Sequence, residues 1–507
     1  MKVFKNENIK YSILIIIAAV IVIIGVFYSG FSNKKEVTVG AYIDGVYSDN
    51  LPVKDSGYIV EKVVCDNDKN PTWNNDNWMI EHSEHWQKES CSVYFKKLES
   101  FTIANRTFYL DEMQKCPSIN RDNTVTVEGA EETDGYLCRA KDAYGDSYYY
   151  RGNVTNNYVQ FAGYYWRIIR YNGDGTVRVI YDGTTAHANG ESSKDRQIGK
   201  IAFNDSVIDN TYVGYMYGNR TNILTSKNRS SSTIYDNEFT YYISKEYDYD
   251  VVTDKFILKN PIAVKTGDMS NAYVGYYYFG NDDINYSNTH IYRILNVKTN
   301  TPNIVIDNEY ITYATTSKEA AQTNSNDSKI KSYLDLWYEN NIKGTVNEQY
   351  VKDNLFCNDR SFEDTGNGYG SENTSYRVNH ADLYNKNKMM LTCVQKNDAF
   401  TVNDTLNGNG ALTYGIGLIT TDEVILSGGW KSANLKFYLY NGQDYWTMTP
   451  FDFFSFFASE GYVTHHSKVT SLPVSNEFGV RPVLNLSSDI LKKGSGTAEE
   501  PFHLSEN

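Results

Sequence analysis

Short runs of β-branched and aromatic residues, separated by turn-forming residues, recur along most of this 507-residue chain. Toward the N-terminal end these runs are VTVGAYI, GYIVEKVVC and CSVYFKKL. Runs of this length, bounded by Asn, Asp and Gly, are typical of β-strands. The pattern predicts a small β-sandwich over residues 37–97, followed by a connector over residues 98–141.

The clearest local structure is predicted at residues 164–181, which have the sequence YYWRIIRYNGDGTVRVIY. Two strand-like runs flank Asn172-Gly173-Asp174-Gly175, where Asn and Gly supply the positive φ angles of a tight turn. A calcium-binding loop is the alternative for NGDG, but the other oxygen ligands that such a loop requires are missing from the sequence. The segment therefore predicts a β-hairpin.

One amphipathic helix is predicted from about Ser328 to Ile342. Asp327 or Ser328 can cap its first turn, and Gly344 can end it. Its apolar face combines the side chains of Ile330, Tyr333, Leu334, Trp337 and Asn341. Residues 420–424, TTDEV, are predicted to open a second, short helical turn with negative charge at its N-terminus.

Residues 11–28, YSILIIIAAVIVIIGVFY, form an apolar run without any charge. A helix of this length spans about 27 Å, close to the hydrocarbon thickness of a bilayer. The run therefore predicts a single membrane anchor within residues 1–32. Because Lys2, Lys5 and Lys10 precede it, the N-terminus is predicted to be cytoplasmic and residues 33–507 extracellular. A cleaved signal peptide is the alternative, although its apolar core is usually shorter, about 7 to 15 residues.

Charge and cysteine content add to this picture. The formal net charge is −14, which repels phosphate backbones and argues against nucleic acid as a partner. All six cysteines follow the apolar run and no CxxC pair occurs, so the sequence supports disulfides rather than a zinc site. Unpaired buried thiols are the alternative. Nearest-neighbour pairing predicts the disulfides Cys65–Cys91, Cys116–Cys138 and Cys357–Cys393.

Five segments occur in a recognisable order: YYWRII, SKIKSYLDLWYENNI, YGIGLITTDEVILSGG, YWTMTP and GVRPVLNL. Their order resembles a family of uncharacterised bacterial membrane-anchored surface proteins, over roughly residues 142–490. That family is similar to the C-type-lectin-like fold shared with formylglycine-generating enzymes. The resemblance implies an α+β, β-rich chain with a lectin-like domain at residues 142–490, an insertion at about residues 219–272 and a tail at residues 491–507.

The resemblance does not carry an activity over to this chain. Gly479-Val480-Arg481 resembles the Gly-Phe-Arg near the end of the formylglycine-generating fold. The copper-binding cysteine pair of those enzymes lies just upstream of that motif, whereas the last cysteine here is Cys393. Copper-dependent oxidation is therefore not expected, and no cofactor is predicted.

No catalytic motif is recognisable, and other candidate chemistry is weak. The histidine pairs His82/His85 and His465/His466 lack a third metal ligand at a usual spacing, so no metal site is predicted. Paired catalytic carboxylates are an alternative that would draw on Asp248, Asp250, Asp282 and Asp283.

An aromatic segment near the C-terminal end is the predicted binding site. Flat rings on a loop offer a large contact area at little entropic cost, and the alternative is that these rings face the core. The predicted ligand-binding residues are Trp446, Phe451, Phe453, Phe454, Phe456 and Phe457. The sequence thus predicts a surface protein that binds an extracellular glycan or protein without catalysis. The alternative is an ectoenzyme that acts on envelope glycans or peptides.

Overall fold

The structure is a computed structural model that describes part of the chain. The described ranges are residues 36–66, 71–81, 88–110, 116–129, 135–224, 311–362, 366–371, 373–378, 388–454 and 457–504, together with six short strands between residues 241 and 306. The predicted membrane anchor, residues 11–28, lies outside them, as do His82, His85, Asp282, Asp283 and Phe456. Among the described residues, no helix combines the length and the apolar character needed to span a bilayer.

The chain divides into two compact units, Met1–Glu112 and Met113–Asn507. The structure is 39% strand and 12% helix, which confirms the prediction of a β-rich protein. The division falls inside the predicted connector at residues 98–141.

The first unit contains a four-stranded sheet in the order β2-β1-β6-β3, with β6 parallel to β1 and antiparallel to β3. Two hairpins, β4–β5 and β7–β8, accompany this sheet. The strands are β1 Glu36–Ile43, β2 Val46–Ser48, β3 Tyr58–Cys65, β4 Thr72–Asn74, β5 Met79–Glu81, β6 Lys88–Lys97, β7 Ser100–Ile103 and β8 Arg106–Tyr109. A small core contains Phe95 and the Cys65–Cys91 disulfide, and the partly buried Trp73 and Trp78 pack against it. Trp73 meets both Trp78 and Phe95 edge to face.

The second unit begins with a group of strands that includes the predicted hairpin. These strands are β9 Ser118–Ile119, β10 Val125–Thr126, β11 Tyr136–Asp142, β12 Gly145–Arg151, β13 Tyr158–Phe161, β14 Tyr164–Tyr171, β15 Val177–Gly183, β16 Lys200–Ala202 and β17 Met216–Tyr217. The hairpin prediction is confirmed: β14 and β15 pair antiparallel, and Gly175 takes a φ of 82° in the turn between them.

A middle group of strands covers the predicted insertion and its flanks, and only their backbone pairing is described. The strands are β18 Thr221–Leu224, β19 Tyr241–Ile243, β20 Glu246–Asp250, β21 Lys255–Lys259, β22 Ile262–Val264, β23 Ile291–Arg293, β24 Val305–Ile306 and β25 Ile311–Ala314. Asp248 and Asp250 lie on β20, which pairs with β21.

The last group of strands completes the two large sheets. These strands are β26 Asn326–Asp327, β27 Phe356–Cys357, β28 Thr374–Ser375, β29 Lys388–Met389, β30 Ala399–Phe400, β31 Ile416–Gly417, β32 Tyr445–Phe454, β33 Phe457–Val463, β34 Val469–Pro473, β35 Glu477–Gly479 and β36 Val483–Leu486. One sheet has the order β11-β12-β14-β15-β36-β31, with β13 beside β14. The other has the order β16-β35-β32-β33-β34, with β28 beside β32.

Three α-helices are described: α1 Lys318–Ala321, α2 Lys329–Asn341 and α3 Thr421–Leu426. Helix α2 confirms the helix prediction, with Ser328 as its N-cap. Helix α3 confirms the predicted turn at TTDEV, and Thr420 and Glu423 form a capping box at its start. Short 3₁₀ turns lie at Lys194–Arg196, Asn210–Val213, Glu348–Tyr350, Lys396–Asp398 and Ser488–Leu491.

All three predicted disulfides are confirmed. Cys65 and Cys91 are directly opposite each other on β3 and β6, so this bridge joins neighbouring strands. Cys116–Cys138 attaches the N-terminal segment of the second unit to β11, and Cys357–Cys393 closes the longest of the three loops.

Candidate functional site

The predicted aromatic site lies on the hairpin formed by β32 and β33, and its rings divide into buried and exposed groups. Trp446, Phe451 and Phe453 are 0% exposed. The indole Nε1 of Trp446 donates to the carbonyl of Ile201 at 2.9 Å, which fixes this ring in the core. These three side chains therefore belong to the packing of the sheet, because a ligand in solution cannot reach them.

Phe454 and Phe457 are 63% and 48% exposed, in contrast to the three buried rings. They lie directly opposite each other in the antiparallel register of β32 and β33, so their side chains share one face of the hairpin tip. Exposed Ile208 is close by, since the amide of Ala458 donates to the carbonyl of Val207 at 2.8 Å. We call Phe454, Phe457 and Ile208 the apolar tip.

A second candidate is a cleft where several of the sequence motifs meet. It is bordered by charged and hydroxyl side chains from β14, β15, α3 and β32, and by the segment that carries the Cys357–Cys393 bridge. Its lining residues are Arg170, Arg178, Leu355, Cys357, Asp359, Arg377, Met390, Leu391, Thr392, Thr420, Asp422, Glu423 and Thr449. We call the ionised side chains of this group, together with Asp142, the charged cluster.

Glu423 is the centre of the deeper half of the charged cluster. Its Oε1 lies 2.6 Å from Arg178 Nε and 3.0 Å from Arg170 Nε. Arg170 Nη1 in turn lies 2.6 Å from Asp142 Oδ2. Burial opposes ionisation of Glu423, but the two arginines outweigh it and hold the pKa of this carboxyl below its ordinary value.

Arg377 is the centre of the outer half. Its Nε lies 2.5 Å from Asp359 Oδ2, and its Nη2 lies 2.7 Å from Asp422 Oδ2. Burial lowers the pKa of Arg377, whereas Asp422 and Asp359 raise it, and the net effect is a pKa above the ordinary arginine value. Asp422 also accepts from the amide of Met390 at 2.9 Å. The outer half is therefore fixed on both sides by backbone and side-chain bonds.

The size of the cleft decides what it can hold. Its interior volume is ≈ 20 Å³. One water molecule needs about 10–15 Å³ by this measure, so there is room for one or two waters and not for an organic ligand. The carboxylates that line it are paired with arginines. The charged cluster therefore works chemically as a set of buried cross-links between motifs.

The sequence reasoning missed most of the charged cluster. The TTDEV segment was singled out only as a helix start, and Arg170 and Arg178 only as part of the predicted hairpin at residues 164–181. Asp142, Asp359 and Arg377 are far apart in the chain and belong to no motif with a fixed spacing. The one available signal was the acidic first turn of α3, since Asp and Glu at a buried helix N-terminus often have a basic partner.

The histidine pair His465/His466, at which no metal site was predicted, lies on the surface. His465 Nδ1 lies 2.9 Å from Asp444 Oδ1, and its ring is 4.0 Å from that of His466. Over the described residues, no group of His, Cys, Asp and Glu has an arrangement that could hold a metal ion.

Comparison with protein-family models, with curated proteins and with solved structures gave no match.

Proposed function

We propose that this protein is a membrane-anchored bacterial surface protein that binds an extracellular glycan or protein without catalysis. In this proposal residues 11–28 hold the chain in the membrane, and a lectin-like domain at residues 142–490 presents the binding surface outside the cell. Three disulfides support an oxidising, extracytoplasmic location, because such bonds persist mainly outside the cytosol.

The apolar tip is the observation that carries the proposal. Phe454 and Phe457 are exposed, whereas the adjacent strand residues Phe453 and Ala458 are fully buried. Exposing large rings is unfavourable, by about 25 cal/mol for each Å² of apolar surface. Aromatic side chains that remain exposed together are typical of binding surfaces.

The ectoenzyme alternative would need a group that exchanges protons with a substrate. A buried carboxyl with a raised pKa in an open cleft is the usual sign of such a group. In the charged cluster the pKa of Glu423 is lowered and its carboxylate is paired with arginines. Glu423 therefore does not supply such a group.

The test compares residues 37–507 of the wild-type chain with the double variant Phe454→Ala/Phe457→Ala. Binding to purified cell-wall glycan and to surface protein fractions is measured, together with the thermal unfolding midpoint. We expect affinity to fall about 30-fold or more, as at aromatic hot spots, while the midpoint hardly changes. Leu406→Ala is the matched control, because Leu406 is 83% exposed on another surface loop.

Two outcomes separate the parts of this proposal. Unchanged binding by the double variant, with binding still present in the wild-type chain, would exclude the apolar tip as the binding surface. The location is tested independently by adding protease to intact cells. Removal of the bulk of the chain, while a cytoplasmic control survives, is the expected result, and full protection would contradict an extracellular domain.

A further inference from the structure

A loop that joins β15 to β16 is folded around one buried histidine. This loop, residues 184–197, contains the 3₁₀ turn Lys194–Arg196, and we call it the strap. The ring of His187 is inside the strap and the residue is only 6% exposed. Two carboxylates of the strap, from Glu191 and Asp195, contact the ring of His187.

Both ring nitrogens of His187 face a carboxylate oxygen. Nδ1 lies 2.7 Å from Glu191 Oε1, and Nε2 lies 2.9 Å from Asp195 Oδ2. A carboxylate accepts hydrogen bonds and donates none, whereas a neutral imidazole has one N–H donor and one acceptor nitrogen. The neutral ring would therefore place one lone pair against a carboxylate. Only the doubly protonated ring satisfies both contacts while both acids are ionised.

The two carboxylates are held in place by other groups as well. The amide of Ala188 donates to Glu191 at 3.1 Å, and the amide of Thr184 donates to Asp195 at 2.8 Å. The hydrogen bond with His187 lowers the pKa of Glu191. For Asp195, burial raises the pKa, but the bonds with His187 and Thr184 outweigh this and lower it. Both acids thus stay ionised at mildly acidic pH.

The surrounding elements leave the ring little freedom to turn away. Gly183, at the end of β15, has a φ of 122°, and a Cβ there would lie 2.9 Å from the His187 ring and 2.5 Å from Asp195. From β13, the Tyr158 hydroxyl donates to the His187 carbonyl at 2.6 Å. The charged groups at the ring nitrogens are Glu191 and Asp195. Arg196 interacts electrostatically with Glu191, and Tyr181 with Asp195.

The strap covers a second loop, residues 438–443, through bonds that depend on its folded shape. Arg196 Nη1 donates to the carbonyl of Tyr440 at 2.7 Å, and the amide of Ser193 donates to the carbonyl of Asn441 at 3.1 Å. Gln443 Nε2 reaches the hydroxyl of Ser192 at 3.3 Å. Release of the strap would therefore uncover residues 438–443.

We propose that His187 is a pH-dependent clasp that holds the strap closed while its ring is protonated and releases it when the ring loses its proton. The sign follows from the geometry. A protonated ring can donate to both carboxylates and a neutral ring to only one, so rising pH favours opening. At the acidic end the strap stays closed until the pH falls through the lowered pKa of its two carboxyls, which must be ionised to hold the ring.

The first measurement follows the ¹⁵N shifts of the His187 ring and the hydrogen-exchange protection of strap amides, such as Ser193, from pH 5 to pH 9. We expect a protonated ring and high protection at low pH, with protection falling about tenfold or more as the ring titrates, as in a local opening. A neutral ring at pH 6 with the strap still protected would overturn the proposal.

Two variants keep the proposal falsifiable even if one folds poorly. Glu191→Gln replaces one acceptor by an amide that can donate to a neutral ring, so its strap should stay protected at high pH. His187→Gln should lower protection of the strap at pH 6 and remove its pH dependence. His465→Gln is the control, because His465 pairs with Asp444 on an exposed surface. If Glu191→Gln loses protection at the same pH as the wild-type chain, the clasp is refuted.

Discussion

The charged cluster and the apolar tip differ in burial: the charged side chains are largely buried, whereas the apolar side chains are exposed. Arginines and carboxylates fill a cleft of ≈ 20 Å³, and phenylalanines extend into water. The cluster is complementary to itself, because each carboxylate faces a guanidinium. The tip has no complement among the described residues that would remove its rings from water. The partnered group is therefore structural, and the rings of the apolar tip remain exposed to solvent.

The largest predicted effect comes from removing Glu423, the centre of the deeper half of the charged cluster. Glu423→Ala leaves Arg170 and Arg178 buried without their shared acceptor, and breaking a buried pair costs about 3–5 kcal/mol. Urea denaturation should show this loss, whereas Glu477→Ala, on an exposed position of β35, should change the free energy of unfolding by less than about 0.5 kcal/mol. Equal, small effects would mean that the cluster is not a structural cross-link.

The same experiment has a pH dependence with a definite sign. The pKa of Glu423 is lower in the folded chain than its ordinary value. Its contribution is therefore complete above the ordinary Glu pKa and is lost as the pH falls through the lower, folded-state pKa. The difference between wild type and Glu423→Ala should shrink in acid.

Neighbouring rings on one strand offer a matched pair. Phe453 is 0% exposed and Phe454 is 63% exposed. Phe453→Ala should cost about 3–5 kcal/mol by leaving a cavity. Phe454→Ala should leave the unfolding free energy nearly unchanged. A large cost for Phe454→Ala would show that this ring packs in solution and would remove it from the binding surface.

Removal of the Cys357–Cys393 disulfide tests whether this bridge stabilises the wall of the cleft in addition to the ion pairs. Replacing both residues by Ser opens a loop between positions 36 apart and should cost about 4 kcal/mol in the chain-entropy model. Denaturant unfolding of the double variant measures this cost. The control repeats the comparison with both chains in reducing buffer, where all three bridges are open and the two chains should unfold at the same denaturant concentration.

The smallest predicted effect concerns Glu460, a buried carboxyl on β33. Both of its oxygens lack a hydrogen-bond partner among the described residues, and burial raises its pKa well above the ordinary value. A carboxyl protonated in the fold loses stability as the pH rises above its unfolded-state pKa. Glu460→Gln should therefore raise the free energy of unfolding at pH 8 by about 1 kcal/mol or more and flatten its pH dependence. An unchanged pH slope would show that Glu460 is ionised in the fold.

Local patterns predicted the elements that depend on neighbouring residues. The hairpin at β14 and β15, helix α2 and the start of α3 were all predicted, because turn residues, caps and helical periodicity act over a few positions. The disulfide pairing followed from nearest-neighbour order. For the aromatic segment, the sequence predicted rings on a loop, whereas Phe453 and Phe454 lie on β32, and it did not separate the core ring Phe453 from the exposed ring Phe454.

By itself the sequence determined the β-rich character of the chain and its local turns and helices, since each depends on short-range order or composition. Nearest-neighbour order predicted the cysteine pairing, which the tertiary structure decided. Only the tertiary structure decided which aromatic rings are buried, and it alone brought Asp142, Arg377 and Glu423 into one cluster. Burial depends on which neighbouring strand covers a face. Ion pairing between residues hundreds of positions apart depends on how two sheets are assembled. Neither burial nor this ion pairing can be predicted from the local spacing of residues.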